Sequence, residues 1–211
     1  MSLNLPPAFM QNRYNETKKR IMDNLKTFLQ TLTPISNKEF EDSKSNFSKV
    51  HLKKGDFFVQ QGKICKQIAF INRGSLRTFY LNDKVEEITA CFRTEKSLVS
   101  SYKSFILQEP SLLSIIALEE TELIVINYDK LQKLYSTSMA WQNIGRLLAE
   151  REYIVMEEYA SVLNNESAKE KYLRLLNEKG EILQKANVEH IATYLGVTRR
   201  TLSRIRQEIS I

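Results

Sequence analysis

Histidine and cysteine are scarce in this chain of 211 residues, which holds two of each. Two histidines, His51 and His190, cannot supply the several His and carboxylate ligands that a metal-dependent enzyme site requires. No Ser-His-Asp or Cys-His signature accompanies them. We therefore predict no catalytic residues, no metal site, no cofactor and no enzymatic activity. Cys65 and Cys91 provide no disulfide framework, which suits a reducing cytoplasm.

Long apolar runs and glycine- or proline-rich segments are also missing. No run approaches the roughly 18 residues of a membrane span, and the N-terminus lacks a basic segment followed by an apolar core. We therefore expect a cytoplasmic protein with neither a secretory signal nor a membrane partner. Six glycines and four prolines, beside 42% apolar residues, indicate folded domains and not a disordered chain.

The net charge of +6 is concentrated at the two ends of the sequence. Residues 167–211 contain nine basic and five acidic residues, whereas residues 51–166 contain 14 basic and 15 acidic residues. Residues 1–50 are again basic, with eight basic and five acidic residues. This distribution fits a contact between the C-terminal end and a polyanion.

Near the C-terminus the sequence has the pattern of two short helices joined by a tight turn. On the first helix Ile191, Ala192 and Leu195 share one side, and Gly196 supplies the left-handed backbone that ends it. Thr198 is placed to cap a second helix. That helix carries an inward apolar face at spacings of three and four, formed by Leu202, Ile205 and Ile209. The arrangement predicts a helix-turn-helix, whose second helix enters the DNA major groove.

Polar and basic side chains lie away from that inward face, on the first two turns of the second helix. We predict that the residues in contact with DNA are Thr198, Arg199, Arg200, Ser203 and Arg204. The arginines are candidates for reading guanine O6 and N7, and the two hydroxyls for binding phosphate or capping the helix. Arginines on an exposed helix face are usually only solvated charge. The turn glycine, the cap and the inward spacing together favour DNA binding.

From Phe47 to about Tyr128 the apolar pattern changes to short runs separated by turns. Turn signals at residues 54–56, 61–63, 73–75 and 82–84 divide these runs. Many short strands with turns at about eight- to twelve-residue spacing predict an antiparallel barrel or jelly roll. A helical stretch from about residue 15 to Pro34 precedes it, followed by a capping-box spacing between Ser36 and Glu39.

A long helix is predicted over about residues 139–163, after a short helix at residues 129–135. Its apolar side recurs with a heptad-like spacing that Arg151 and Glu158 interrupt. Such spacing is typical both of a coiled-coil dimer seam and of a plain surface helix, so the periodicity does not decide between these two structures. The candidate dimer-helix residues are Ile144, Leu147, Leu148, Arg151, Ile154, Val155 and Val162. Residues 164–166 form a polar break, where we place a domain boundary.

The helix-turn-helix resembles that of Crp/Fnr-type bacterial transcription regulators, in the branch common in Bacteroidetes-like bacteria. The likeness is carried by Tyr194-Leu195-Gly196-Val197-Thr198 and by Thr201-Leu202-Ser203-Arg204-Ile205-Arg206, and it extends more weakly back to about residue 47. The turn glycines at positions 55, 62 and 74 stand where that family keeps its own. The resemblance implies an α+β fold with an N-terminal antiparallel β-roll of jelly-roll type, a long dimerisation helix and a C-terminal helix-turn-helix.

The same resemblance implies three segments and a set of partners. Residues 1–137 would form the N-terminal helices and a cyclic-nucleotide-binding-like β-roll, residues 138–164 the dimerisation helix, and residues 165–211 the DNA-binding domain. The implied partners are double-stranded DNA, a second copy of the chain, RNA polymerase and a small-molecule effector of unknown identity. A two-fold dimer would bind a near-palindrome with half-site centres ~34–36 Å apart.

The sequence departs from the family at the site for cyclic AMP. Members that bind cyclic AMP carry a helix opening with Gly-Glu and, shortly after it, an Arg that holds the phosphate. Residues 98–105 contain no Gly-Glu, and no Arg lies between Arg93 and Arg146. Burying a phosphate without a cation costs free energy, and the ammonium of Lys103 cannot make the two parallel hydrogen bonds of an arginine guanidinium. We therefore predict that cyclic AMP is not the effector. The residues that could line a pocket for another small molecule are Ser100, Ser101, Tyr102 and Ser104; an ordinary capped helix is the alternative.

Two other family features are not expected. An iron–sulfur sensor needs four cysteine ligands, and the chain has two. The sequence ends at Ile211, about two residues beyond the recognition helix, so a full two-stranded wing is expected to be absent. The wing's phosphate contacts would then be lost or supplied by N-terminal basic residues.

The rival interpretation is a small-molecule-binding β-roll module whose basic C-terminal helices dock a protein partner. The concentration of arginines just after Gly196 argues against it. Affinity for duplex DNA that falls steeply with salt would separate the two interpretations, because only phosphate neutralisation produces that slope.

Overall fold

Two short helices precede the sheets in the computed structural model, which describes residues 22–209 and all their side chains except those of residues 159–165. Residues 22–30 are helical (α1), and the predicted start of this helix lies outside the described residues. In α2 (Asn37–Ser43) the predicted capping box is confirmed, because Ser36 Oγ accepts from Glu39 N and the Glu39 carboxylate accepts from Ser36 N. A single 3₁₀ turn (Lys44–Asn46) leads into the sheets.

Within the described residues, eight strands form two antiparallel four-stranded sheets, which together make the β-roll. The strand order is β1-β8-β3-β6 in one sheet and β2-β7-β4-β5 in the other. The strands are β1 (Phe47–Leu52), β2 (Phe57–Val59), β3 (Gln67–Arg73), β4 (Leu76–Leu81), β5 (Glu87–Arg93), β6 (Leu98–Val99), β7 (Ser114–Ala117) and β8 (Thr121–Asn127). One short helix, α3 (Tyr102–Leu107), follows β6. The predicted antiparallel, jelly-roll-like architecture is confirmed.

The two sheets share one apolar core. Phe70 on β3 and Ile124 on β8 come from the first sheet and stand opposite each other in the strand register. Leu76 on β4 and Ile115 on β7 come from the second sheet, and all four side chains are almost fully buried. Phe105 of α3 is completely buried in the same cluster. Burial of these side chains is the main source of stability for the β-roll.

Gly74 makes the tight turn between β3 and β4. Its φ is +100°, in the region that favours glycine. A Cβ at this position would lie 2.5 Å from Thr121 Oγ1 and 2.8 Å from the carbonyl oxygen of Glu120. The turn therefore packs directly against the start of β8, and only a residue without a side chain fits there.

Six helices complete the described part of the chain. They are α4 (Tyr128–Thr137), α5 (Met139–Asn165), α6 (Ala168–Lys179), α7 (Ile182–Lys185), α8 (Val188–Leu195) and α9 (Arg199–Ile209). The 27 residues of α5 span about 40 Å at about 1.5 Å per residue. A second capping box opens α6, with Ser167 Oγ accepting from Glu170 N. Within residues 22–209, no helix is both long and apolar enough to cross a membrane.

A second apolar core lies among the C-terminal helices. Tyr172 of α6, Ile182 of α7 and Leu202 of α9 are buried in it. Two residues of the β-roll, Phe92 on β5 and Leu118 after β7, belong to the same cluster. The C-terminal helices are therefore packed onto the β-roll in addition to being joined to it through α5.

Candidate nucleic-acid interface

The turn between α8 and α9 has the geometry of a helix-turn-helix. Gly196, with φ 70° and ψ 30°, closes α8 in the left-handed conformation, and Val197 N donates to Ala192 O at 3.0 Å. Thr198 Oγ1 accepts from Thr201 N at 3.2 Å and so caps the start of α9. Both the glycine turn and the cap were predicted from the sequence. Together they fix the angle at which α9 leaves α8.

The apolar faces of both helices point inward, as predicted. The fully or almost fully buried residues are Ile191, Ala192, Leu195, Leu202 and Ile205. Ile209 is half-buried and packs against the same cluster. Because this inward face is anchored in the second core, the opposite face of α9 is held at a defined position on the surface.

That opposite face of α9 is a continuous polar and basic stripe. Arg200, Ser203, Arg204 and Gln207 are all exposed and recur at spacings of three and four, so they share one side of the helix. Thr198 and Arg199 are also exposed, beside the N-terminal end of the stripe. All five predicted DNA-contact residues are thus brought together on one accessible surface.

The arginines of α9 have different surroundings. Arg199 Nε lies 3.5 Å from Glu189 Oε2, and both side chains are more than half exposed, so the pair is weak in water. Among the described residues, no ion pair involves Arg200 or Arg204. Arg206 is half-buried and lies 5.7 Å from the ring centre of Tyr172, which is a packing role. Arg200 and Arg204 are therefore exposed positive charges that no carboxylate pairs with among the described residues.

The outer face of the second sheet carries α8, a contact that the sequence did not reveal. The rings of Phe92 on β5 and Tyr194 on α8 are 5.3 Å apart. Thr193 Oγ1 lies 3.0 Å from Thr89 Oγ1 and accepts from Thr89 N at 3.3 Å. Four successive residues of β4 (residues 76–79) are buried, as expected when both faces of a strand are covered, but two of them are polar, so the sequence has no apolar run that signals this contact.

A buried arginine under the same contact is paired with an exposed glutamate. Arg77 on β4 is almost fully buried, is paired with Glu87 on β5 and lies 4.1 Å from the ring centre of Phe79. His190 Nε2 on α8 is 4.0 Å from Glu87 Oε2. Burial, reinforced by the positive charge of Arg77 and opposed by Glu87, lowers the pKa of His190 to about 4. His190 is therefore neutral at physiological pH.

Two further polar contacts join the C-terminal helices to the β-roll. Lys185 Nζ of α7 is 2.8 Å from Glu119 Oε1, which also accepts from Ser75 Oγ at 2.8 Å. Lys179 Nζ of α6 donates to the Phe92 carbonyl at 3.1 Å. These contacts, with those of α8, place the helix-turn-helix at one orientation relative to its own β-roll.

The serines predicted to line an effector pocket are engaged inside the fold. Ser100 Oγ donates to Gln67 O at 3.1 Å, and Ser101 Oγ accepts from Ser111 Oγ at 2.7 Å. Ser104 Oγ accepts from Cys65 N at 2.9 Å and donates to the carbonyl of Glu109. Their hydroxyls therefore hold the α3 region together. Of the four predicted pocket residues only Tyr102 is exposed.

The predicted dimer-helix residues divide into a buried and an exposed group. Ile144 is 1% exposed and Leu148 packs beside it in the core of the β-roll, so Ile144 cannot contribute to a seam with a second subunit. Leu147 is half-buried, and Arg151 is exposed with its guanidinium 5.8 Å from the ring centre of Phe28. The exposed apolar group is formed by Tyr153, Ile154, Val155 and Met156. The side chain of Val162 lies outside the described residues.

No group of three or more His, Cys, Asp or Glu side chains that could hold a metal ion is found in the part of the chain that the structure describes. His51 is exposed on β1, and His190 is half-buried on α8. Cys65 is buried in the β-roll and Cys91 is half-buried on β5, and both are free thiols.

The sequence and the structure were compared with known protein families and solved structures. Residues 49–138 match the family model described as the cyclic nucleotide-binding domain. A transcriptional regulator of the Crp/Fnr family from Eubacterium rectale superposes with a TM-score of 0.62 at 22% identity, over 83% of this chain and 84% of that chain. The chain has the Crp/Fnr fold.

Two other solved structures also superpose over most of this chain. The Xanthomonas campestris regulator CLP, described as responsive to c-di-GMP, has a TM-score of 0.63 at 17% identity and covers 83% of this chain and 92% of its own. The catabolite activator protein of Thermus thermophilus has a TM-score of 0.52 at 19% identity, with 85% of each chain covered. No curated protein matches the sequence. The predicted resemblance in fold to Crp/Fnr-type regulators is confirmed.

Proposed function

We propose that this protein is a sequence-specific DNA-binding transcription regulator of Crp/Fnr type that acts as a homodimer and has no enzymatic activity. The observation that carries the proposal is the exposed basic stripe on α9, presented by a glycine turn and a capped helix start. A recognition helix in a helix-turn-helix contacts base edges with residues from its N-terminal half. Three of the four stripe residues, Arg200, Ser203 and Arg204, lie in that half of α9.

Within the stripe the residues have different roles. Arg200 and Arg204 are exposed and donate hydrogen bonds in a planar fork, so they can read the O6 and N7 acceptors of guanine, each for about 1–3 kcal/mol of discrimination. Arg199 can join them by exchanging its weak surface pair with Glu189 for a phosphate or base contact. Ser203 binds phosphate, and Thr198 combines a phosphate contact with its capping role.

The dimer forms along α5. Four consecutive apolar residues, 153–156, are exposed, with exposed fractions from 41% to 63%. Successive helical residues are about 100° apart, so these side chains surround most of the helix at this level and favour burial against a second copy. Two recognition helices related by a two-fold axis would bind half-sites with centres ~34–36 Å apart.

Cyclic AMP is not the effector in this proposal. Between Arg93 and Arg146 the sequence has no arginine, and Lys103 of α3 is exposed. The buried guanidinium of Arg77 is held by Glu87 beneath α8. An ionised phosphate inside the roll would be left without a paired cation, which is costly in a low-dielectric interior.

Salt dependence of DNA binding tests the proposal. Fluorescence anisotropy with a labelled random-sequence duplex should give an affinity that falls steeply between 50 and 200 mM salt, because each neutralised phosphate releases counterions. On a duplex without a specific site Arg200 and Arg204 contact phosphates, so replacing both by alanine should reduce the slope of log affinity against log salt by about two. A double variant of Lys130 and Lys133, which are exposed on α4, removes the same charge from the β-roll and should leave the slope unchanged.

Absence of duplex binding at low salt would favour the rival function, in which the basic helices dock a protein partner. Addition of cyclic AMP to the same titration tests the effector part separately. An increase in DNA affinity on addition of cyclic AMP would contradict the assignment made from the missing arginine.

A further inference from the structure

A groove of about 460 Å³ lies where α3, α4 and α5 meet, on the outside of the β-roll core. Ser100, Ser101 and Ser104 are not among its lining residues. Its volume is within the usual range for small-molecule sites. Its lining includes Tyr102 and Phe105 of α3, Gln132 and Tyr135 of α4, and Gln142 and Arg146 of α5.

The groove combines an apolar floor with a rim of hydrogen-bond donors. Phe105 and Leu131 are buried and form part of the floor. Two phenols, two carboxamides and the guanidinium of Arg146 lie around it, and no Asp or Glu is among the lining residues. Arg146 is 58% exposed and pairs with Glu150, which lies outside the groove, at 2.6 Å. The lining therefore favours a ligand with an apolar body and a negative charge.

Tyr135 is placed in the groove by a glycine in the middle of α5. A Cβ on Gly145 would lie 2.5 Å from the Tyr135 hydroxyl oxygen, so the ring fits only because position 145 has no side chain. Glycine is unfavourable inside a helix, and here its packing role explains its presence. Burial, together with the nearby Tyr102, raises the pKa of Tyr135 to about 12. The phenol therefore remains a neutral donor at physiological pH.

We propose that this groove binds a small organic carboxylate with an apolar body, whose carboxylate contacts Arg146 and the Tyr135 hydroxyl while its body lies against Phe105 and Leu131. The groove connects α3 of the β-roll with α5, the helix that leads to the helix-turn-helix. A ligand there is positioned to change the angle between them. Only this last step, coupling to DNA, depends on the proposed function; ligand binding itself does not.

The test is calorimetric titration of the full chain, without DNA, with benzoate, indole-3-acetate and octanoate, and with the corresponding neutral amides. At least one carboxylate should bind, and its amide should bind about tenfold more weakly because the charge-assisted contacts are lost. Arg146→Gln and Tyr135→Phe should each weaken binding of that carboxylate about fivefold or more. Lys130→Gln removes an exposed positive charge from the neighbouring face of α4 and should leave affinity unchanged.

Gly145→Ala provides a second, independent variant, since the added methyl group must displace Tyr135 from its present position. It should abolish binding while circular dichroism and thermal unfolding show that the fold is retained. The proposal is overturned if none of the three carboxylates binds at millimolar concentration, if amides bind as well as acids, or if Arg146→Gln has no effect. Carboxylate binding without any DNA binding would uphold this site and contradict the proposed function.

Discussion

The aromatic rings of Phe92 on β5 and Tyr194 on α8 are 5.3 Å apart, and this pair joins the β-roll to the helix-turn-helix. Phe92 is 1% exposed and belongs to the core of the C-terminal helices, although it lies about 100 residues before them in sequence. The position of the recognition helix therefore depends on the β-roll of the same chain. A structural change in the roll has a direct route to the proposed DNA-binding surface.

Truncation of this contact should loosen the helix-turn-helix from the roll. We expect Phe92→Ala to destabilise the protein by about 3 kcal/mol, in the range for buried aromatic residues, and to increase amide hydrogen exchange in α8 more than in β3 or β8. Phe57→Ala is the matched control, because Phe57 on β2 is 46% exposed. Equal protection of α8 in Phe92→Ala and in the wild type would show that the contact does not hold the helices in place.

Acid should weaken the same contact through His190. The pKa of His190 is lowered to about 4 in the folded protein, chiefly by burial, so the folded state binds fewer protons than the unfolded state above that pH. Stability should therefore fall as pH decreases from about 6.5 to about 4, and level off below it for this group. Denaturant unfolding across this range should show that His190→Gln removes part of the pH dependence, whereas the exposed His51→Gln retains it. Identical pH profiles for His190→Gln and the wild type would contradict the assignment.

Substitution of Gly196 tests whether the turn between α8 and α9 requires a left-handed backbone conformation. Gly196 has a positive φ, and a Cβ there would meet no other atom, so substitution strains only the backbone. Gly196→Ala should cost about 1–2 kcal/mol, and Gly196→Asn less, because asparagine tolerates the left-handed region. Thermal unfolding should give the stability order Gly, Asn, Ala. A variant Gly196→Ala as stable as the wild type would show that the left-handed turn is not required.

The exposed apolar group on α5 should be necessary for dimerisation. Ile154 is 54% exposed within one subunit, so Ile154→Asp should leave the subunit folded and place a charge in the proposed dimer interface. Sedimentation at micromolar concentration should then show a monomer. Leu112→Asp, at a 67% exposed position outside α5, should remain a dimer. A wild-type protein that sediments as a monomer with and without DNA would contradict the homodimer.

The helix-turn-helix was predictable because its signals are local. Gly196, the cap at Thr198 and the spacing of Leu202 and Ile205 all lie within a dozen residues of one another, and backbone geometry alone links them. The strands of the roll were predictable for the same reason, since turn glycines such as Gly74 separate short apolar runs. Local chemistry therefore identified both halves of the fold.

The contacts between the two halves could not be predicted, because they join residues far apart in sequence. Thr89 and Thr193 are separated by 104 positions, and a pair of threonines has no periodic signature. The surroundings of the candidate pocket serines could not be predicted for a related reason. Whether Ser104 faces a ligand or the fold depends on its partners Cys65 and Glu109, which only the tertiary structure brings to it. Ile144 was assigned to a seam because periodicity does not distinguish a surface between subunits from a surface within one.

Sequence selection from a random duplex library at physiological salt tests the central claim most directly. The wild type, without any added ligand, should enrich a near-palindromic motif with half-site centres about one or more helical turns apart. Arg204→Ala should lose preference at one base position in each half-site, and Lys130→Ala should recover the wild-type motif. Enrichment of the same motif by Arg204→Ala, with unchanged preference at every position, would contradict the placement of the DNA-reading surface on α9.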